Sequence, residues 1–122
     1  MTNSAPRIDE HLPLTSAVFN ILLSLPDQER HGYGIMQEVE AMTKGQIQMG
    51  PGTLYGSIKR MISADLIEES DERPDPEHDD ERRRYYRLTD LGRRVLGAEA
   101  QRLSDLVNVA QIKRIVGSEE VV

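Results

Sequence analysis

Hydroxyl, amine and guanidinium groups are concentrated in the segment Gly50-Pro51-Gly52-Thr53-Leu54-Tyr55-Gly56-Ser57-Ile58-Lys59-Arg60-Met61. Leu54, Ile58, Met61 and Ile62 recur at i, i+4, i+7 and i+8, the spacing that gathers side chains on one side of a helix. The other side is left to Thr53, Tyr55, Gly56, Ser57, Lys59 and Arg60. Such groups donate hydrogen bonds to phosphate oxygens and to base edges in a major groove, which admits one helix. Thr53 and Ser57 suit bases or phosphates, Lys59 supplies the long reach, and Gly56 lets the backbone approach. The first amides of the helix offer further donors to a phosphate. The alternative for Lys59 and Arg60 is a merely solvated helix face.

A second basic element follows about twenty residues on. Arg82-Arg83-Arg84-Tyr85-Tyr86-Arg87-Leu88-Thr89 carries four arginines in a strand-like run. Alternation places Tyr86 and Leu88 on one side and Tyr85 and Arg87 on the other. Arg84 and Arg87 are the better candidates for duplex phosphates; the alternative is pairing with nearby acids, a surface effect worth little. Tyr33 and Tyr55 can donate to phosphate oxygens, or pack between helices. Tyr86 is expected in the core.

The formal net charge of −6 speaks against a nucleic-acid binder until its distribution is considered. From Lys44 to Ala64 there are three bases and no acid, and from Arg82 to Arg94 six arginines stand against Asp90. Asp71, Glu72, Asp75, Glu77, Asp79, Asp80 and Glu81 crowd one loop. Screening acts over roughly 8 Å at physiological salt, so a basic face can attract phosphate while the far side is acidic.

The elements that must position these groups are legible in outline. Residues 1–12 read as a flexible polar arm. Leu14, Ala17, Val18, Ile21, Leu22 and Leu25 form a helical stripe opened by Thr15/Ser16 and closed by Pro26. A second helix spans about Tyr33 to Met42, with Ile35, Val39 and Met42 inward, stopped by Lys44-Gly45. Gln46-Ile47-Gln48-Met49 suits a very short strand or an extended turn. Pro51 favours the first turn of the third helix, which ends near Ala64-Asp65. Leu66-Ile67-Glu68-Glu69-Ser70 and Arg83–Thr89 read as the two strands of a hairpin. Thr89 is a good N-cap for a last helix reaching about Ile115, about 40 Å long. The expected fold is mainly α with a small two-stranded β wing (α+β): a winged helix-turn-helix over 13–89, a C-terminal dimerisation helix over 90–116, and a disordered tail over 117–122.

Two apolar surfaces have no cover within such a domain. The first helix carries a second stripe, Leu12, Phe19 and Leu23. The last helix carries Leu96, Leu103, Leu106, Val107 and Ala110 at nearly heptad spacing, while Leu91 and Val95 face the domain. A homodimer covers both, and Phe19, Leu23 and Val107 would then line a pocket between subunits for a small-molecule effector.

Other functions find little footing. The chain has no cysteine, which removes disulfides, thiolate zinc sites and cysteine nucleophiles. No nucleophile–base pair or phosphate loop is visible, so an enzyme is not expected. His78-Asp79-Asp80 sets one histidine beside flexible carboxylates, short of a metal site, and no metal or cofactor is expected. His11 and His31 have no obvious partners. Ile21-Leu22-Leu23 is far too short to span a bilayer, and Met1–Pro6 lacks the character of a secretory signal, so the cytoplasm is the default compartment.

Three segments resemble the PadR family of bacterial transcriptional regulators: His31-Gly32-Tyr33-Gly34-Ile35, Gly52-Thr53-Leu54-Tyr55, and Arg84-Tyr85-Tyr86-Arg87-Leu88-Thr89 followed by Gly92. The resemblance covers about residues 12 to 115. With one C-terminal helix, the chain is similar to the smaller members, which dimerise through that helix and the first. The resemblance implies a homodimeric winged-helix repressor on double-stranded DNA, often released by a small molecule. The chain departs from those small members that hold flat aromatic drugs between tryptophans, because it has none. The competing expectation is a winged helix that docks a protein partner through its acidic loop. Neutralising Asp79, Asp80 and Glu81 would then abolish partner binding, and Lys59→Ala would not.

Overall fold

The computed structural model describes residues 8–70 and 83–116. The acidic loop 71–81 with His78, Arg82, the start of the expected arm and the expected tail lie outside the described residues. In chain order the elements are a 3-10 turn Ile8–His11, α1 (Ser16–Leu23), β1 (Arg30–His31), α2 (Gly32–Met42), α3 (Pro51–Ser63), β2 (Ile67–Ser70), β3 (Tyr85–Leu88) and α4 (Asp90–Ile112).

Local chemistry sets most boundaries. Thr15 Oγ1 accepts from the Val18 amide at 3.2 Å and opens α1. At its other end the Ser24 hydroxyl donates to the Ile21 carbonyl at 2.7 Å, two residues before Pro26. α2 ends where Lys44 and Gly45 enter the left-handed region, at φ 54° and 80°. Pro51 begins α3, where its missing amide hydrogen costs nothing. Thr89 does two jobs at the start of α4: its oxygen accepts from the Gly92 amide at 2.9 Å, and its hydroxyl donates to the Asp65 carbonyl at 2.6 Å.

The sheet has three strands in the order β1-β3-β2, both pairs antiparallel. The two-stranded wing expected from the sequence is therefore incomplete. Arg30 and His31 pair with Tyr86 and Tyr85, and Ile67 to Ser70 pair with Leu88 to Tyr85. Gln46–Met49 forms no strand; Ile47 and Met49 pack their side chains against the core instead. Residues 8–12 of the expected flexible arm are also placed. Ile8 and Leu12 pack against the core, and the 3-10 turn touches α4.

Ile21, Leu22, Ile35, Val39, Leu54, Ile58, Met61, Ile67, Tyr86, Leu88 and Val95 meet in one core. Leu96, expected in the dimer seam, is buried there too, 6% exposed. The first turns of α4 lie against α1 and β3, so the domain itself uses that part of the stripe. Ile62, expected inward, is 39% exposed. It lies at the edge of the apolar arc whose centre Leu54 and Met61 mark. Among the described residues the buried charged one is Glu99 on α4: its carboxylate accepts from the Leu14 amide at 3.0 Å and from Arg102 at 2.6 and 3.0 Å.

Candidate nucleic-acid interface

The inward and outward sides of α3 divide cleanly. Leu54, Ser57, Ile58 and Met61 are buried. Gly52, Thr53, Tyr55, Lys59, Arg60 and Ser63 are exposed. Ser57 is thus a correction to the sequence expectation. It stands three residues after Leu54 and four before Met61, so the helix turns it inward. Its hydroxyl accepts from Arg60 Nη2 at 3.2 Å and is not available to a groove. Ser63, which no motif singled out, shares the outward side with Lys59, one turn on.

Tyr55 leaves the edge of α3 toward the wing, where a cleft of about 470 Å³ opens. His31, Gly32, Tyr33, Tyr55, Arg83, Arg84 and Tyr86 line it. Three elements converge because β1 ties the start of α2 to β3 while α2 packs on α3. His31 holds the junction. Its Nδ1 accepts from the Gly34 amide at 3.0 Å and caps α2, and its ring meets Tyr85 edge-on with centroids 5.2 Å apart. Arg83 Nη1 lies 3.0 Å from His31 Nε2. Tyr33, 57% exposed, stacks over His31 at 6.5 Å. His31, expected to lack obvious partners, heads the family-like segment His31–Ile35, but its capping role was not marked, because histidine is not among the favoured N-caps.

The wing arginines are partly neutralised by the strand beside them. Arg84 pairs with Glu69 at 3.0 Å, and Arg87 with Glu68 at 2.9 Å and Glu29 at 3.8 Å. Glu68 is the direct cross-strand neighbour of Arg87. All four partners of these pairs on the wing are substantially exposed, so the pairing is weak. Burial pushes the Tyr86 phenol above its ordinary value, and the Glu69 carboxylate adds to the rise. The phenol therefore stays protonated, a hydrogen-bond donor at the floor of the cleft.

The residues expected at a dimer seam fall into two groups. Leu103, Leu106 and Val107 on α4 are exposed, as is Leu23 on α1. Leu12, Phe19 and Ala110 are half-buried, the first two packed partly against the core. Of the trio expected to hold an effector, Phe19 is thus partly used by the domain, while Leu23 and Val107 stand open. Among the described residues no helix is long and apolar enough to cross a membrane.

A model of the transcriptional regulator PadR-like family matches residues 21–98. A Lysinibacillus sphaericus protein described as protein X is 31% identical over 104 residues, 84% of each chain. Among solved structures, a PadR family transcription regulator from Clostridium difficile superposes with a TM-score of 0.64 at 26% identity, over 80% of this chain and 96% of that one. A PadR-like transcriptional regulator from Bacillus cereus also gives 0.64, at 21% identity over 77% and 86% of the two chains, a likeness of fold.

Proposed function

The chain belongs to the PadR-like family of transcriptional regulators, and from that premise we propose that it is a homodimeric repressor of a palindromic operator, released by a small-molecule effector. Its DNA-binding character follows from the family. The observation that supports this particular interface is the cleft between α3 and the wing. Hydroxyls of Tyr33, Tyr55 and Tyr86 and the guanidinium groups of Arg83 and Arg84 converge there, next to the outward side of α3.

In this reading α3 enters the major groove with Thr53 and Lys59 toward the base edges. The cleft seats a backbone phosphate, with Tyr33, Tyr55 and Arg84 as donors, which positions the protein without specifying sequence. Arg87 on β3 and Arg60 on α3 are further cations for backbone phosphates outside that seat. The dimer is supported by the exposed apolar side chains of α4, since a solvated helix has no need of Leu103, Leu106 and Val107 together. Two-fold symmetry then sets two half-sites about one helical turn apart. The repressor sense and the effector rest on the family resemblance. An effector site at Phe19, Leu23 and Val107 would be complete only with the second subunit.

The test is a mobility-shift titration against the DNA upstream of the gene itself, at two salt concentrations. Binding that beats competitor DNA, weakens steeply with salt and is lost in Lys59→Ala supports the assignment. Affinity that is flat across salt overturns it.

A further inference from the structure

A second cavity, about 220 Å³, lies between the N-terminal segment and the C-terminal end of α3, away from the wing cleft. Its body is aliphatic: Pro13, Leu14, Val18, Met61, Ala64 and Leu66. The one aromatic ring among its lining residues is the His11 imidazole, so its body offers a flat ligand little to stack on. Met61 is unbranched and adapts to irregular shapes. The charged group at its edge is Arg60, and no carboxylate is among the lining residues. The Arg60 guanidinium is held by a neutral hydroxyl, Ser57 Oγ, at 3.2 Å. Among the described residues no carboxylate meets its charge. An apolar cavity of about 150 Å³ suffices for benzene, so this one has room for a chain of somewhat greater bulk.

We propose that this cavity binds an aliphatic monocarboxylate of medium chain length, its head on Arg60 and its chain along Val18, Met61 and Leu66. Charge complementarity selects the anion, and the aliphatic body of the cavity selects the chain. Arg60 and Met61 both belong to α3, so an occupied cavity holds a cation of the helix that faces DNA and fixes its C-terminal end against the N-terminal segment. That regulatory consequence rests on the proposed operator binding; the binding site itself does not.

The experiment is calorimetry on the full chain without DNA, using hexanoate, octanoate and octanol. Affinity should rise about fourfold per methylene added. Octanoate should exceed octanol by about fivefold, the scale of an exposed ion pair. Arg60→Gln should erase the difference between acid and alcohol while octanol still binds, which a misfolded variant would not show. Ala64→Leu, which fills the cavity, should remove both ligands. Octanoate binding that survives Ala64→Leu, or an acid preference that survives Arg60→Gln, overturns the site. So does tighter binding of benzoate than of octanoate. A mobility shift with and without octanoate then follows. Calorimetric binding with no DNA shift under any condition would discredit the operator reading and leave the site standing.

Discussion

The carbonyl of Leu66 occupies the space that a side chain on Gly92 would need. A β-carbon built there would lie 2.8 Å from the Leu66 carbonyl carbon and closer still to its oxygen. The same carbonyl accepts from the Thr89 amide at 3.1 Å, so the residue leading into β2 and the start of α4 are joined at one atom. Because the obstacle is backbone, Gly92→Ala must move α4 away from β2. The expected loss is about 3 kcal/mol, the upper range for overpacking, read by urea unfolding. Gly97, one turn and a half along the same helix, faces open space. Gly97→Ala should stabilise by about 0.5–1 kcal/mol, which makes it the internal control.

Gly32 offers the opposite case. A β-carbon there would come 2.7 Å from Tyr55 Cζ. The obstacle is the far end of an exposed side chain, which can swing away. Gly32→Ala should therefore leave the unfolding midpoint almost unchanged and displace the Tyr55 hydroxyl from the cleft. Operator affinity should fall about tenfold or more, the worth of one hydrogen bond to a charged phosphate. An unchanged affinity would remove Tyr55 from the interface.

Glu99 makes stability depend on pH. Hydrogen bonds from Arg102, chiefly, and from the Leu14 amide hold its carboxyl below the ordinary 4.5, against the upward push of burial. A lowered folded value means that the unfolded chain takes up the proton first. The stabilisation is fully present above about pH 4.5 and is lost as pH falls through the lower folded value. Glu99→Gln should lower the melting temperature at pH 7. The gap to wild type should close below pH 4.5. A gap that stays constant down to pH 3 would show that the charge has no part in holding Leu14.

Val107→Asp tests the seam. Val107 is 52% exposed in the single chain, so the substitution spares the core. Sedimentation should change from twice 13.8 kDa to 13.8 kDa, with the far-ultraviolet circular dichroism unaltered. Operator binding should weaken together with the loss of the dimer, since two half-sites are no longer engaged at once.

Much of this architecture is legible in the chain because it is written locally. Thr15 and Thr89 announce helix starts, Pro51 a first turn, and Lys44-Gly45 a stop, each through backbone groups within a few residues. The inward positions Leu54, Ile58 and Met61 follow from the same periodicity. Ser57 was legible by angle but masked by type, since a hydroxyl suggests a groove and helix geometry sends it inward. Strand β1 was not legible: Arg30 and His31 pair with Tyr86 and Tyr85 across more than fifty residues, and two residues carry no alternation. Leu96 and Leu103 belong to one stripe. What separates buried from exposed is how far α1 and the sheet reach along α4, a property of the assembled domain. For the candidate site, Tyr33, Tyr55 and Arg84 were marked by type. Their convergence depended on the joining role of His31, which its place in a family-like segment did not disclose.

The separation of the two sides of α3 has an evolutionary consequence. The buried side of α3 makes no use of Gly52, Thr53, Lys59 and Ser63, and changes at such exposed positions shift stability by only about 0.5 kcal/mol. A duplicated gene could therefore drift toward a new target one residue at a time, every intermediate remaining folded. Randomising those four positions should yield a library of regulators with altered preferences on an unaltered scaffold.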